Sequence, residues 1–141
     1  MRHGEAEPLR GSDADRALVA AGVADAATVA REIAERLGPV ALVAASPYVR
    51  AQQTAGIVCD RLSPPRIETW PELVPSTTVE PVIESLKAEH DVLLVTHQPL
   101  ISYLFEWLTG QSRGIGTANA LAINVETLQP GWGELECAIT P

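Results

Sequence analysis

The chain has 141 residues, the size of a single domain with one substantial hydrophobic core. Hydrophobic residues make up 46% and charged residues 20%, which is typical of a soluble globular protein and excludes a disordered one. The apolar runs are too short to span a membrane and no signal-peptide pattern opens the chain, so we expect a cytoplasmic protein without a membrane partner. The net charge of −8 argues against nucleic acid as a partner, so any anion site must depend on locally placed arginines.

The first third of the chain predicts a loop, a helix and a buried strand. Residues 6–15 are rich in turn-forming residues and are predicted to be a loop. A helix follows, broken or entered near Gly22 and ended by Gly38 and Pro39. Residues 40–45 are wholly apolar and lie between two proline-containing turns, a pattern typical of a strand buried on both faces of a parallel sheet.

A second helix and a second strand are predicted next. Ser46 is expected to cap the helix and Pro47 to take its first position, where the missing N–H costs nothing. The helix should run to about Leu62. A short strand is expected over 67–70, and a loop over 71–75.

The following stretch predicts a helix, the clearest strand of the chain and another helix. Thr78 is expected to cap a helix from about Val79 to Glu89. Residues 91–96 have a continuous apolar centre and predict a second buried strand. A helix is then expected from about Leu100 to Leu108, stopped at Gly110.

The C-terminal part predicts a mobile loop over 111–117 and a strand hairpin. Apolar residues alternate with smaller or polar ones in 121–127 and again in 134–139, which indicates two strands with one solvated face. The cysteines, Cys59 and Cys137, lie far apart and match no metal-ligand spacing. We therefore expect them to be reduced packing residues, one in a helix and one in a strand.

Strands that alternate with helices predict one α/β domain over residues 1–141. Its sheet should be mostly parallel, with helices on both faces and the C-terminal strand hairpin added. Ligands of such sheets bind beyond the carboxyl ends of the strands. Residues 46–50 and 96–99 occupy two such junctions, and residues 2–4 occupy a third if a strand precedes them.

These junctions carry side chains suited to phosphoryl transfer. Arg2 and Arg50 have planar guanidinium groups whose N–H donors can bind an anion. Arg50 lies in the first turn of its predicted helix. His3 and His97 supply nitrogens that are neutral near pH 7, and Gly4 lets the backbone turn sharply or approach a ligand. Taken singly, Arg50 could be a surface cation and His97 could bond only to nearby backbone.

Other site types fit the sequence less well. Two histidines and two arginines without a cysteine or carboxylate cluster argue against a metal site. The chain has no Walker-type glycine-rich loop and no G-x-S-x-G element, which argues against a P-loop nucleotide site and a serine hydrolase. His90, at the opposite edge of the predicted sheet, is expected to be a solvated histidine.

Three segments together resemble the motifs of the histidine phosphatase (phosphoglycerate-mutase-like) superfamily. They occur in the order of that family: Arg2-His3-Gly4-Glu5, then Ser46-Pro47-Tyr48-Val49-Arg50-Ala51-Gln52-Gln53-Thr54, then Thr96-His97-Gln98-Pro99-Leu100. The short length and two further features are most similar to the small SixA-type protein-histidine phosphatases. These features are His97-Gln98-Pro99-Leu100, and Asp15-Arg16-Ala17-Leu18 together with Gly22.

The resemblance implies roles for individual residues. His3 would be the nucleophile that becomes phosphorylated and is then hydrolysed. Arg2 and Arg50 would bind the phosphoryl group, with His97 as a further donor. Arg16 matches a pocket arginine of the SixA-type members, although a surface ion pair is an alternative. No cofactor and no metal are expected.

The resemblance leaves the general acid open, with Glu5 and Glu72 as the candidates. Larger family members protonate an alkoxide leaving group with a carboxylate, but a protonated imidazole leaves far more easily. The leading hypothesis is therefore a phosphatase that removes a phosphoryl group from phosphohistidine of a signalling or phosphorelay protein, releasing inorganic phosphate. The alternatives are a small-molecule phosphomonoesterase of the same fold and a catalytically inactive phosphate-binding module.

One expectation concerns the start of the sheet. The resemblance implies a short apolar strand before Arg2, in the middle of the sheet, whereas only Met1 precedes Arg2 in this sequence. Either the true start of the protein lies upstream, or this sequence is truncated, or the sheet tolerates a missing central strand. Such a gap leaves a groove between two strand edges whose backbone groups lack partners.

Overall fold

The structure, a computed structural model, describes residues 1–64, 66–86 and 90–141. Helices and strands alternate along most of the chain, as predicted. In order they are α1 (Ala20–Arg36), β1 (Leu42–Ala45), α2 (Val49–Leu62), β2 (Arg66–Thr69), α3 (Val79–Ser85), β3 (Val92–Val95), α4 (Leu100–Thr109), β4 (Ala120–Asn124) and β5 (Glu134–Ile139). Two short 3-10 turns, Asp13–Asp15 and Pro71–Leu73, complete the set.

The three strands β2, β1 and β3 form a parallel sheet in that spatial order, and β4 pairs antiparallel with β5. The predicted parallel sheet and the C-terminal hairpin are thus confirmed. Strand β1 is buried along its whole length because it lies in the middle of the sheet. Its apolar run is consequently continuous instead of alternating.

Helices cover both faces of this sheet. Val43 and Ala45 point to one face and pack in a cluster with α1 and α2. Leu42 and Ala44 point to the other face and pack with residues of α3 and α4. The alternation of side chains along β1 therefore divides the core into two layers.

Several boundaries differ from the prediction. Helix α2 begins at Val49 and not at Pro47, with Tyr48 instead of Ser46 at the N-cap, because the first helical hydrogen bonds are accepted by the Tyr48 carbonyl. The Ser46 carbonyl instead accepts a hydrogen bond from the Gln52 side chain, 2.7 Å away. Arg50 nevertheless stays in the first turn of the helix.

Helix α3 begins after Thr78 as predicted but ends at Ser85, because Leu86 has an extended backbone conformation. The last predicted residues of this helix, 87–89, lie outside the described part of the chain. Residues 71–73, predicted to be loop, form a 3-10 turn.

Other expectations are confirmed. Cys59 lies in α2 and Cys137 in β5, and both are free thiols. His90 is exposed. In the described segments of the chain, no helix combines the length and the apolar character that crossing a membrane requires.

Residues 1–3 form a short strand segment beside β3. The Met1 carbonyl accepts from the Thr96 N–H at 3.1 Å, and the His3 N–H donates to the Thr96 carbonyl at 3.0 Å. On the other side, the Arg2 N–H donates to the Asn119 carbonyl at 2.9 Å, and the His3 carbonyl accepts from the Ala118 N–H at 2.9 Å. The expected gap in the sheet is therefore filled as far as Met1.

Beyond Met1 the sheet contains a groove of about 940 Å³, lined on one side by β3 and on the other by β4. Within the described residues, β3 is paired there only with β1, and β4 only with β5. The Met1 amino nitrogen lies at the end of this groove and donates to the Leu94 carbonyl at 2.7 Å. The groove follows the line that residues 1–3 take beside β3.

We predict that five alternating β-branched and apolar residues joined before Met1 raise the melting temperature by about 4 °C or more. The added segment can pair with β3 and β4 and bury apolar surface in the groove. Thermal unfolding followed by circular dichroism measures the change. A glycine-serine extension of equal length is the control, and equal melting temperatures for the two extended chains would contradict this prediction.

Candidate active site

The three sequence motifs meet at the carboxyl ends of β1 and β3. The rings of His3 and His97 lie 4.9 Å apart between centroids, and Arg50 Nε lies 3.2 Å from His3 Nε2. A cavity of about 320 Å³ opens beside them. It is lined by Arg2, His3, Glu5, Ala6, Asp13, Arg16, Arg50, Pro75, His97, Gln98 and Thr117.

The surroundings of His3 fix which of its nitrogens is nucleophilic. Nδ1 lies 2.7 Å from the Gly4 carbonyl, and since a carbonyl can only accept, Nδ1 carries the proton. Nε2 therefore carries the unprotonated lone pair, which accepts a hydrogen bond from Arg50 Nε. Burial lowers the pKa of His3 to about 4, helped by the charges of Arg50, Arg2 and Arg16. The ring is consequently neutral at pH 7.

The segment that carries His3 is held by close packing against two helices. A Cβ atom at Gly4 would lie 2.4 Å from the Gly22 carbonyl oxygen, and one at Gly22 would lie 2.1 Å from the Glu5 carbonyl oxygen. Only glycine at both positions permits this approach. Thr54 Oγ1 accepts from the Gly4 N–H at 3.1 Å and donates to the Arg50 carbonyl at 2.7 Å. Gly4 thus contributes packing, and it lies outside the cavity lining described above.

Arg50 is a buried residue of the site and not a surface cation. Its side chain is 4% exposed, and its guanidinium lies 5.1 Å from the centre of the Tyr48 ring. Nη1 donates to the Asp13 backbone carbonyl at 2.6 Å, and Nη2 donates to Asp13 Oδ2 at 3.1 Å. With Nε directed at His3, each nitrogen of the guanidinium has a partner.

Asp13 also contacts the arginine that the SixA-type resemblance singled out. Its Oδ1 accepts from Arg16 Nη1 at 2.9 Å, while Arg16 Nε donates to the Glu7 carbonyl at 2.6 Å. The hydrogen bond from Arg16, followed by that from Arg50, holds the pKa of the Asp13 carboxyl below its usual value. Arg16 therefore both lines the cavity and forms an ion pair, which combines the two alternatives considered for it.

His97 lines the same cavity as His3. Neither Nδ1 nor Nε2 has a hydrogen-bond partner among the described residues, although both atoms are buried. Burial lowers the pKa of His97 to about 3, with further contributions from His3, Arg50 and Arg2. The ring is therefore neutral, and it keeps one N–H donor and one acceptor nitrogen for a bound ligand.

The segment predicted as a mobile loop supports Arg2. The Ile115 carbonyl accepts from Arg2 Nη1 at 2.9 Å and from Gln98 Nε2 at 3.2 Å. The Ile115 side chain is buried in a cluster with Ile101 and Phe105. Arg2 Nε is buried without a partner among the described residues, so it is a further donor available to an anion.

The two candidate acids lie in different places. Glu5 is exposed and lines the cavity. The Glu72 carboxylate accepts a hydrogen bond from the Ser85 hydroxyl and lies outside the lining of this cavity. In the described segments, no group of three or more His, Cys, Asp and Glu side chains is arranged to hold a metal ion.

Sequence reasoning missed two side chains that organise the site. Asp13 was assigned only to a loop, although an acid three residues before Arg16 matches the spacing of a local ion pair. Thr54 belongs to the second motif, and a threonine four residues after Arg50 can bond to the preceding turn of its helix. Their contacts with Arg50 and Gly4 span 37 and 50 positions and leave no periodic signal in the sequence.

Comparison with known proteins identifies the family. Residues 1–74 match the Histidine phosphatase superfamily (branch 1). The chain is 32% identical over 148 positions to "Phosphohistidine phosphatase SixA" of Escherichia coli (strain K12), covering 100% of this chain and 91% of that protein. It is 31% identical over 128 positions to "Phosphohistidine phosphatase SixA homolog" of Haemophilus influenzae, covering 82% and 78%. The chain belongs to the histidine phosphatase superfamily.

The fold agrees with this membership. A solved structure described as the protein histidine phosphatase SixA complexed with tungstate superposes with a TM-score of 0.87 at 28% sequence identity. The match covers 99% of this chain and 94% of that one. These comparisons confirm three predictions: the family, the phosphoglycerate-mutase-like α/β fold, and the enzyme class of a histidine-dependent phosphohydrolase.

We predict that Gly22→Ala lowers the free energy of unfolding by about 2 kcal/mol or more and lowers turnover, because the new methyl group displaces the backbone beside His3. Chemical unfolding and turnover measure the two effects. Gly56→Ala is the matched control, since Gly56 also lies within a helix but a Cβ atom there would have no neighbour within 4 Å. In the Gly56→Ala variant, the free energy of unfolding should rise by about 0.5–1 kcal/mol, because alanine has a higher helix propensity than glycine. Equal effects of the two substitutions would be inconsistent with the close approach at Gly22.

The lowered pKa values of His3 and His97 predict how stability changes with pH. Between the ordinary value of 6.5 and the folded-state values of about 4 and about 3, the unfolded chain binds protons that the folded chain does not. The free energy of unfolding should therefore fall with falling pH in this window, by up to about 1.4 kcal/mol per pH unit for each histidine.

Urea unfolding at several pH values between about 6.5 and 5 measures this slope. His97→Gln should reduce the slope, whereas His90→Gln, at an exposed position, should leave it unchanged. Contributions from other titrating groups cancel when the variants are compared with the unmodified chain. A slope that is the same in all three proteins would show that His97 is not buried in its neutral form.

Proposed function

We propose that the protein is a phosphohistidine phosphatase that acts through a phosphoenzyme formed on His3. The observation that carries the proposal is the orientation of His3 in the cavity lining, where its Nδ1 proton is held by the Gly4 carbonyl and its Nε2 lies beside Arg50. A neutral imidazole with its lone pair directed at a cationic pocket suits attack on phosphorus. The names of the two curated relatives and the tungstate-bound neighbour support the same chemistry.

In the first step, the lone pair of His3 Nε2 forms a bond to phosphorus while the P–N bond of the substrate breaks. The electron pair of that bond stays with the leaving imidazole. The His3 ring gains positive charge, and the Nδ1–H donated to the Gly4 carbonyl stabilises this charge. In the second step, water attacks phosphorus, the P–Nε2 bond breaks, and inorganic phosphate leaves with the protons of that water.

The cations of the cavity suit the charge of the transferring group. Arg2 Nε and the ring of neutral His97 have no protein partners among the described residues, so they can donate to phosphoryl oxygens. Arg50 Nε points to His3 Nε2 and would donate to an oxygen of the group bound there. Arg16 lines the same cavity and adds a further positive charge.

A phosphohistidine substrate fits the placement of the carboxylates. Transfer between two imidazoles needs no net proton transfer, because the attacking ring gains the charge that the leaving ring loses. An alkoxide leaving group does need a proton. Glu72 is engaged with Ser85 outside the cavity lining, and arginine contacts keep Asp13 ionised, so neither suits the role of an acid. Glu5 lines the cavity and is the one remaining candidate among the residues proposed for this role.

The proposed substrate is a phosphohistidine side chain of a partner protein in a signalling or phosphorelay system, in the cytoplasm. We expect His3→Gln to abolish release of phosphate from a phosphohistidine protein. Enzyme quenched during turnover of ³²P-labelled substrate should carry acid-labile label on His3. His90→Gln is the matched control, because it removes an exposed histidine far from the cavity. Full activity in His3→Gln would refute the proposal.

The substrate class is tested by comparing kcat/KM for a phosphohistidine protein with that for sugar phosphates and phosphoserine peptides. The proposal expects the P–N substrate to react at least about a hundredfold faster, in line with its better leaving group. Faster turnover of the small esters would favour a phosphomonoesterase. Binding of vanadate without hydrolysis of any substrate would indicate an inactive phosphate-binding protein.

A further inference from the structure

We infer that Asp13 is a positioning residue, which holds Arg50 and Arg16 so that Arg50 directs Nε at the nucleophilic nitrogen of His3. The inference rests on the proposed function in assigning a phosphoryl group to this cavity. Asp13 belongs to the 3-10 turn Asp13–Asp15, outside the three motifs that carry the resemblance to the family.

The geometry of the guanidinium explains how Asp13 can set the direction of Nε. A guanidinium is planar and rigid, so fixing two of its nitrogens fixes the third. Asp13 binds Nη1 of Arg50 through its backbone carbonyl at 2.6 Å and Nη2 through Oδ2 at 3.1 Å. The remaining nitrogen, Nε, then lies 3.2 Å from His3 Nε2.

The second oxygen of the carboxylate links this arrangement to Arg16. Oδ1 accepts from Arg16 Nη1 at 2.9 Å, so one carboxylate lies between two guanidinium groups. Its negative charge offsets the repulsion between these cations and allows both to line one small cavity. Arg16 is fixed from its other side by the Glu7 carbonyl.

A carboxylate at this place could instead compete with phosphoryl oxygens for the arginines. Two observations favour positioning. Asp13 occupies the Nη1 and Nη2 side of Arg50 and leaves Nε toward His3, where the phosphoryl group forms its bond. In addition, the contact to Nη1 comes from the backbone of Asp13, which cannot withdraw unless the whole turn moves. A competitor would need to release Arg50 when substrate binds.

The test compares Asp13→Asn, Asp13→Ala and Asp15→Asn. Asp15→Asn is the matched control, because it makes the same change of charge in the same turn at an exposed side chain. With a phosphohistidine protein as substrate, Asp13→Ala should lower kcat by about tenfold or more with a smaller change in KM. Asp13→Asn keeps one acceptor for Arg50 Nη2 and should fall between Asp13→Ala and the unmodified protein. Asp15→Asn should stay within about twofold of the unmodified protein.

A second measurement does not depend on turnover. In ¹⁵N NMR spectra, the Nε–Hε signal of Arg50 should be sharp and protected from exchange in the unmodified protein and in Asp15→Asn. It should broaden or exchange rapidly in Asp13→Ala, which removes the side-chain acceptor for Arg50 Nη2, and less so in Asp13→Asn, which keeps an acceptor there. Vanadate binding should weaken more than inorganic phosphate binding in Asp13→Ala, because vanadate resembles the transition state.

The outcomes separate the alternatives. An unchanged Arg50 signal together with unchanged vanadate binding in Asp13→Ala would overturn the positioning role, whether or not the protein hydrolyses phosphohistidine. Tighter phosphate binding with faster turnover in that variant would also overturn it and favour competition by the carboxylate. If the unmodified protein failed to hydrolyse any phosphohistidine substrate, the proposed function would fail, while the NMR and vanadate measurements would still decide the role of Asp13.

Discussion

The contact between Arg50 Nε and His3 Nε2 is the interaction on which the site depends. A donor can face this nitrogen only while the histidine is neutral, so the 3.2 Å contact and the pKa of about 4 describe one state of the ring. Burial is the main cause of the lowered pKa, and the nearby guanidiniums add to it. The guanidiniums that help to keep His3 neutral therefore also attract an anion to it. Anion binding and the reactive lone pair are therefore located at the same atom, His3 Nε2.

The fold brings these groups together through backbone packing more than through side-chain pairing. Gly4 and Gly22 allow the segment after His3 to lie directly on α1, since a Cβ atom at either position would overlap backbone. Thr54 joins this segment to α2, the helix that carries Arg50. His3 is thus tied to both helices on one face of the sheet, and its position relative to Arg50 follows from their packing.

Residues 1–3 are held in place on both sides by backbone pairing. Thr96 on one side and residues 118–119 on the other hold these residues by backbone hydrogen bonds. His97 follows Thr96 directly, so the same pairing brings the two histidine rings within 4.9 Å of each other. The groove between β3 and β4 lies at one end of the strands, and the cavity lies at the opposite, carboxyl end.

The sequence alone determined the order of strands and helices, the parallel sheet, the family and the four residues His3, Arg2, Arg50 and His97 that line the cavity. Buried strands, turns and compact motifs are local patterns, and local patterns can be read from a sequence. Only the tertiary structure decided that α2 begins at Val49, that Glu72 lies outside the cavity lining and that Asp13 holds Arg50. The physical reason is that these features depend on side-chain and backbone hydrogen bonds whose partners are chosen by packing and not by periodicity, as in the contact between Arg50 and Asp13 across 37 positions.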